Sequence, residues 1–308
     1  MKIIFMGTPS FALKTLEALN RKYNVELIVT QSDKPVGRKK EIIFSPVKKF
    51  AVDNNLKFLQ PEKLKNNNKF TEALKMVNPD IICVAAYGKI LTKEILDLPK
   101  YGCINLHASL LPKYRGAAPI NWAIINGEKE TGVTIMKMDS GMDTGNIISR
   151  HKIKIQNNDD ALSLDKKLSE LGAKKIIEFV DNVILHKSYK HRKQNDLKSI
   201  LAPKINKKDA LINWQEDANT IRNLIRGYNP WPIAFTNLGN QTIKIFKAEI
   251  DNSLTLSSGK IENRDGRLIV GCGKGNLEIT QIQKSGQKKI SGKEFLNGIY
   301  NLANPFFT

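Results

Sequence analysis

Asn105 and His107 bracket Leu106 in the run Ile104-Asn-Leu-His, where polar side chains alternate with aliphatic ones. In a strand this period-two pattern turns both polar groups to one face, into whatever cleft lies there. An amide can donate to an oxygen, and an imidazole that titrates near neutrality can move a proton. A second polar run, Met138-Asp-Ser-Gly-Met-Asp-Thr-Gly, carries the carboxylates of Asp139 and Asp143 between two strand-like stretches. Taken singly, each group has a plain structural reading. His107 would be a satisfied strand-end histidine, Asn105 a turn or cap, and Asp143-Thr-Gly a hairpin turn.

The elements that must position these groups read as an α/β chain. Lys2–Met6, Val25–Thr30, Asp80–Ala85 and Cys103–Leu106 are short apolar runs expected as strands, with helical periodicity from Pro9 and over Phe70–Val77. Strands alternating with helices predict a Rossmann-like, mostly parallel sheet whose active residues gather at the strands' carboxyl ends. Val133–Met138 and Asn146–Ile155 are expected as antiparallel edge strands, and Asp160–Val183 as a long helix. From His186 to Lys208 the pattern breaks and basic residues accumulate, which predicts an interdomain linker. Beyond a short helix near Glu216–Arg226, brief strand-like runs punctuated by Gly and Asn predict a smaller β-barrel. The expected division is therefore residues 1–188, a linker at 189–207, and 208–308, with no internal repeats.

Composition narrows the function. Lys and Arg number 49 against 30 Asp and Glu, a net charge of +19 over 308 residues, which suits a polyanionic partner. Lysines that merely solvate a Lys- and Asn-rich surface are the competing account. No stretch approaches the roughly 18 apolar residues of a membrane span, and the N-terminal apolar run is too short for a signal core. Cys83, Cys103 and Cys272 are odd in number and far apart, so neither a disulfide framework nor a zinc site is expected. These points favour a cytoplasmic protein without a metal. Gly7-Thr-Pro-Ser follows the first strand where a dinucleotide-binding enzyme would carry GxGxxG, and Pro9 lacks the backbone donor a phosphate needs.

Taken together, Ile104-Asn-Leu-His-Ala-Ser-Leu-Leu-Pro, Arg115-Gly-Ala-Ala-Pro-Ile and Met142-Asp-Thr-Gly resemble the signature of the 10-formyltetrahydrofolate-dependent formyltransferases. The likeness covers essentially the whole chain. Phe5-Met-Gly-Thr-Pro-Ser-Phe-Ala is similar to the family's opening. Ala202-Pro-Lys-Ile-Asn-Lys, Ile212-Asn-Trp and Arg226-Gly-Tyr-Asn-Pro-Trp-Pro resemble its tRNA-specific members, the methionyl-tRNA formyltransferases. Phe44, Pro203 and Asn213, which stands where an acid is usual, depart from the pattern and touch only local contacts.

The resemblance implies Asn105, His107 and Asp143 as the catalytic set. Asn105 would donate to the developing oxyanion, His107 would relay protons, and Asp143 would hold the ring. It implies 10-formyltetrahydrofolate as cosubstrate, bound by Val84, Ala86, Tyr87, Gly88, Ile90 and Leu91. Ser109, Leu110, Leu111, Pro112, Asp139 and Gly141 would bind it as well. It further implies methionyl initiator tRNA as the acceptor, gripped by Lys34, Arg38, Lys39 and Lys40 in a flexible loop, and by Lys204, Lys207 and Lys208. The C-terminal domain would be an oligonucleotide-binding-like (OB-like) barrel, on which Trp214 and Trp231 either stack bases or pack the core. A monomer in a bacterial cytoplasm is expected. Formylation of a small amine, hydrolysis of the folate, and RNA binding without catalysis are the competing functions.

Overall fold

Three runs, Ile3–Gly7, Ile81–Ala85 and Cys103–His107, are buried along their whole length, as befits central strands covered on both faces. They come from a computed structural model describing residues 1–36, 41–254, 256–299 and 305–308. The spatial order of the main sheet is Ile147–Lys154, Glu130–Lys137, Cys103–His107, Ile81–Ala85, Ile3–Gly7, Leu27–Val29 and Phe58–Leu59. The chain builds outward from Ile3–Gly7 to one side and then resumes on the other with Ile81–Ala85, so the order reverses between these two parallel strands. Ligand sites of such sheets lie outside the carboxyl ends of the strands near that reversal. Cys103–His107 runs parallel to Ile81–Ala85, with Val84 opposite Asn105, and antiparallel to Glu130–Lys137, with His107 opposite Thr134. The outermost strand, Ile147–Lys154, carries Arg150 and Lys152 and is mostly part-exposed, which blunts an open edge.

Helices fasten this sheet. Ser10–Tyr23 ends on Asn24 in the left-handed conformation, a common helix stop, and Tyr23 and Lys22 both bond Asp181 of the helix Ala161–His186. That long helix presents Gly172 directly to Leu106 on the site strand. Two short helices, Pro46–Asp53 and Lys93–Leu96, give too little periodicity to be read from sequence.

The chain divides into two compact units, the first comprising residues 1–119, 130–153 and 165–202, the second 120–129, 154–164 and 203–308. Residues 189–202 of the basic segment thus belong to the first unit, where Arg192 bridges Ile147 and Leu201–Ala202 pairs with Arg115–Gly116. In the second unit, Ala234–Leu238, Gln241–Asp251, Asn276–Lys284, Arg267–Gly271 and Ile261–Arg264 form an antiparallel sheet in that order. The sheet is not a closed barrel, because no pairing joins its first and last strands among the described residues. Pro305–Thr308 runs between their ends instead: Phe307 donates to Gly259 and Ile261 to Pro305, while Thr308 and Asn237 exchange two bonds. Trp214 lies in this unit's core, bonded to Thr236 at 2.9 Å and stacked on Phe307; Trp231 is exposed.

Candidate active site

Asn105 and His107 project from the end of Cys103–His107, and Asp143 reaches them from the loop joining the two outer strands. That loop turns back tightly, since a β-carbon at Gly145 would collide with the Lys137 carbonyl. Asp143 has φ +57°, a left-handed geometry that aspartate tolerates better than most side chains. Its Oδ2 accepts from the Gly116 backbone at 2.9 Å. Its Oδ1 stands 3.5 Å from Asn105 Nδ2 and 3.5 Å from His107 Nδ1. Both separations are long for hydrogen bonds, so Oδ1 faces the two side chains without committing to either. All three sequence-predicted residues therefore meet, and all three side chains are largely shielded from solvent.

His107 is oriented from a second direction. Its Nε2 lies 2.9 Å from the Tyr114 carbonyl, which only accepts, so Nε2 carries the hydrogen. Nδ1 is then the nitrogen that can exchange a proton, presenting a lone pair when the ring is neutral and an N–H when it is charged. Tyr114 itself has φ +64°. Sequence reading names Asp143 as the ring's support and misses this carbonyl, because a backbone contact seven residues away leaves no mark in residue types.

The residues expected around folate separate into two kinds. Val84, Tyr87, Leu91, Ser109 and Leu111 are buried, whereas Ala86, Gly88, Ile90, Asp139 and Gly141 are exposed, with Leu110 and Pro112 intermediate. Ser109 donates to the Lys113 carbonyl at 2.6 Å, and Thr134 bridges Ser109 and Leu111, so these two shape the loop from within. Burial pushes the Tyr87 phenol up to about 12, and its hydroxyl has no hydrogen-bond partner among the described residues. Asp139 bonds Gly141 and Thr144, closing its own turn. Cys83 and Cys103 are buried, with thiols pushed up to about 12, which makes them core packing and not nucleophiles. Among the described residues no cluster of three or more His, Cys, Asp or Glu could hold a metal, and no helix is long and apolar enough to cross a membrane.

Of the residues expected to grip nucleic acid, Lys34, Lys204, Lys207 and Lys208 are exposed. Arg38, Lys39 and Lys40 lie outside the described residues. Among the described residues nearby, Lys48 pairs with Asp33 beneath the Phe44 ring, and Gln31 donates to the Tyr87 carbonyl at 2.7 Å. The hydrogen bonds from Lys48 and Gln60 keep the Asp33 carboxyl below its usual range.

A Rossmann-like sheet with an amide, an imidazole and a carboxylate meeting at its carboxyl end fits the formyl transferases. The formyl transferase family model matches residues 1–180, and that of the formyl transferase C-terminal domain matches 204–300. A methionyl-tRNA formyltransferase of Caldanaerobacter subterraneus is 49% identical over 97% of both chains. Among solved structures, a sugar 3N-formyl transferase crystallised with dTDP and 5-N-formyl-THF is 26% identical, covering 94% of this chain and 99% of that one, with TM-score 0.67. A methionyl-tRNA formyltransferase from Clostridium thermocellum is similar over 82% of this chain and 95% of its own, at 21% identity and TM-score 0.52, a likeness of fold alone. The chain belongs to the formyl transferase family and, within it, to the methionyl-tRNA formyltransferases.

Proposed function

We propose that Asn105, His107 and Asp143 carry the transfer of a formyl group from 10-formyltetrahydrofolate to the α-amino group of methionyl initiator tRNA. The observation that supports this most is that Asn105 Nδ2 and His107 Nδ1 each stand 3.5 Å from a single carboxylate oxygen at a strand's carboxyl end. A free α-amine titrates at about 7.7–8.0, and an ester neighbour lowers that value, so much of the nucleophile is neutral at physiological pH. The cosubstrate supplies an electrophilic formyl carbon when bound. Asn105 donates its Nδ2–H to the oxygen on which negative charge grows, a role worth roughly 3–4 kcal/mol in comparable sites. His107 takes at Nδ1 the proton lost by the attacking amine and delivers it to the folate nitrogen as its bond to the formyl carbon breaks, while the Tyr114 carbonyl holds Nε2. Asp143 Oδ1, 3.5 Å from Nδ1, favours the ring in its protonated form.

The donor set suits a formyl oxygen beside nitrogens that lose and gain protons. Exposed Ala86, Gly88 and Ile90 offer backbone and an apolar side chain to the flat pterin, and Asp139 and Gly141 are exposed too. Lys34, Arg38, Lys39, Lys40, Lys204, Lys207 and Lys208 contact tRNA phosphates, in line with the net charge of +19. The C-terminal unit acts as an OB-like barrel, a reading supported by the tail Pro305–Thr308, which bonds residues beside both outer strands. The enzyme works as a cytoplasmic monomer, with residues 1–188 catalytic, 208–308 binding tRNA, and 189–207 connecting them while residues 189–202 pack with the first unit.

Labelled 10-formyltetrahydrofolate offered with methionyl initiator tRNA, elongator methionyl-tRNA and glycinamide ribonucleotide tests the acceptor. Label on the initiator species alone is expected, and label on the small amine would overturn the tRNA reading. Asn105→Ala, His107→Ala and Asp143→Asn should each lower the maximal rate while folate still binds. Rate and folate affinity falling in step would refute the catalytic assignment. Arg38→Ala should weaken transfer to charged tRNA only.

A further inference from the structure

We propose that Gln194 is a positioning residue for this reaction, its side-chain amide fixing the backbone that aims Asp143 at Asn105 and His107. The proposal rests on the role given to Asp143 above. Gln194 lies in the basic segment whose composition reads as a linker, yet it is buried, and its amide makes four hydrogen bonds. Nε2 donates to the carbonyls of Asp143 at 2.8 Å and Gly145 at 2.7 Å. Oε1 accepts from Arg115 Nε at 3.0 Å and from Nη2 at 2.8 Å. A guanidinium only donates and a carbonyl only accepts, so the amide has a single orientation here. Arg115 is buried too and is anchored again by Asp196 Oδ1 at 2.7 Å.

The consequence lies in how Asp143 is tethered. Its left-handed backbone is uphill for a side chain other than glycine and persists only where its surroundings impose it. Gln194 grips the carbonyl of Asp143 and the carbonyl two residues on, and Gly116 N holds Oδ2. Oδ1 is what remains, directed at Asn105 and His107. If the only task were to accompany the buried Arg115, a carboxylate would perform it better, since charge-assisted bonds are stronger. An amide is the side chain that serves the guanidinium and also donates to two carbonyls.

Gln194→Glu keeps a partner for Arg115 and turns oxygens toward the two carbonyls; Gln194→Met, uncharged and of similar length, covers the case in which the first variant does not fold. Each is compared with Asp143→Asn for melting temperature, tetrahydrofolate binding, and kcat per folate-binding site with methionyl-tRNA. Displacement of a catalytic group by about 1 Å costs on the order of a hundredfold in rate, and a fall of that order in kcat is expected, with folate affinity and KM for tRNA unchanged. A merely structural role would reduce melting temperature and the number of folate sites but leave kcat per site intact, and that result overturns the proposal. A crippled Asp143→Asn beside parental Gln194 variants overturns the positioning role alone. A parental rate in Asp143→Asn removes the catalytic reading and the proposal with it.

Discussion

Replacing Gly172 by alanine tests whether the long helix sets the position of the site strand. A β-carbon at Gly172 comes within 2.5 Å of Leu106 Cδ2. Unstrained carbons sit about 3.5–4.0 Å apart, so the two groups must separate by about 1 Å. Leu106 is only 1% exposed, so its side chain cannot swing into solvent, and the close-packed surroundings pass the strain onward. Alanine is the better helix former by roughly 1 kcal/mol, whereas overpacking costs about 1–3 kcal/mol, leaving a net loss of about 0–2 kcal/mol. The melting temperature should therefore change by only a few degrees. Activity should respond more, because Leu106 sits between Asn105 and His107, and any shift of the strand carries both. If the strand takes the whole displacement the rate falls about a hundredfold; shared with the helix, the fall is about tenfold. Single-turnover formyl transfer at saturating folate, read beside a thermal melt, measures both quantities. Gly172→Ala combined with Leu106→Val, which withdraws the colliding methyl, should be faster than Gly172→Ala alone. A Gly172→Ala enzyme with raised melting temperature and parental rate would refute the reasoning.

Other outcomes follow from single groups. Asp33→Asn leaves Lys48 without its carboxylate; the pair is largely but not fully buried, so the loss in urea-measured stability should be about 1–3 kcal/mol. Because the folded Asp33 carboxyl titrates below its unfolded value, that difference should be present at neutral pH and disappear as pH falls through the folded value. Asp165 carries the opposite sign: burial raises it, with the Ser10 hydrogen bond opposing, so its stabilising contribution is present in acid and lost as pH rises. Asp165→Asn should melt higher than the parent at neutral pH, the gain vanishing below the unfolded carboxyl range; an unchanged melt at neutral pH would count against a costly half-buried charge. Phe307→Ala removes the ring stacked on Trp214 in the core of the second unit and should cost about 3–5 kcal/mol in urea unfolding.

The contrast between what is and is not legible in the sequence has a physical origin. Strands buried on both faces, such as Ile3–Gly7 and Ile81–Ala85, announce themselves as unbroken apolar runs. Two-residue strands such as Phe58–Leu59, and Leu201–Ala202 beside Arg115–Gly116, do not, because a pattern of period two needs more residues than they contain. The open second sheet shows a related limit. Its strands are visible singly, while the tail pairing at Pro305–Thr308 joins ends some 45 to 70 residues apart in the chain, a separation that no local pattern encodes.

The same distinction separates the parts of the site. Asn105, His107 and Asp143 sit in contiguous runs whose residue types are unusual together, so the chain reveals them. The groups that hold them are scattered: Gln194 is 51 residues from Asp143 and 79 from Arg115, in a stretch where basic neighbours dominate the reading. A buried amide with four hydrogen bonds and an exposed one in a linker are the same letter. What tells them apart is the carbonyl of a left-handed aspartate, and only the folded chain brings it near. Chemistry of this kind is written where the groups that perform it lie, and its precision resides in residues such as Gln194, Tyr114 and Gly172, whose types alone carry no sign of it.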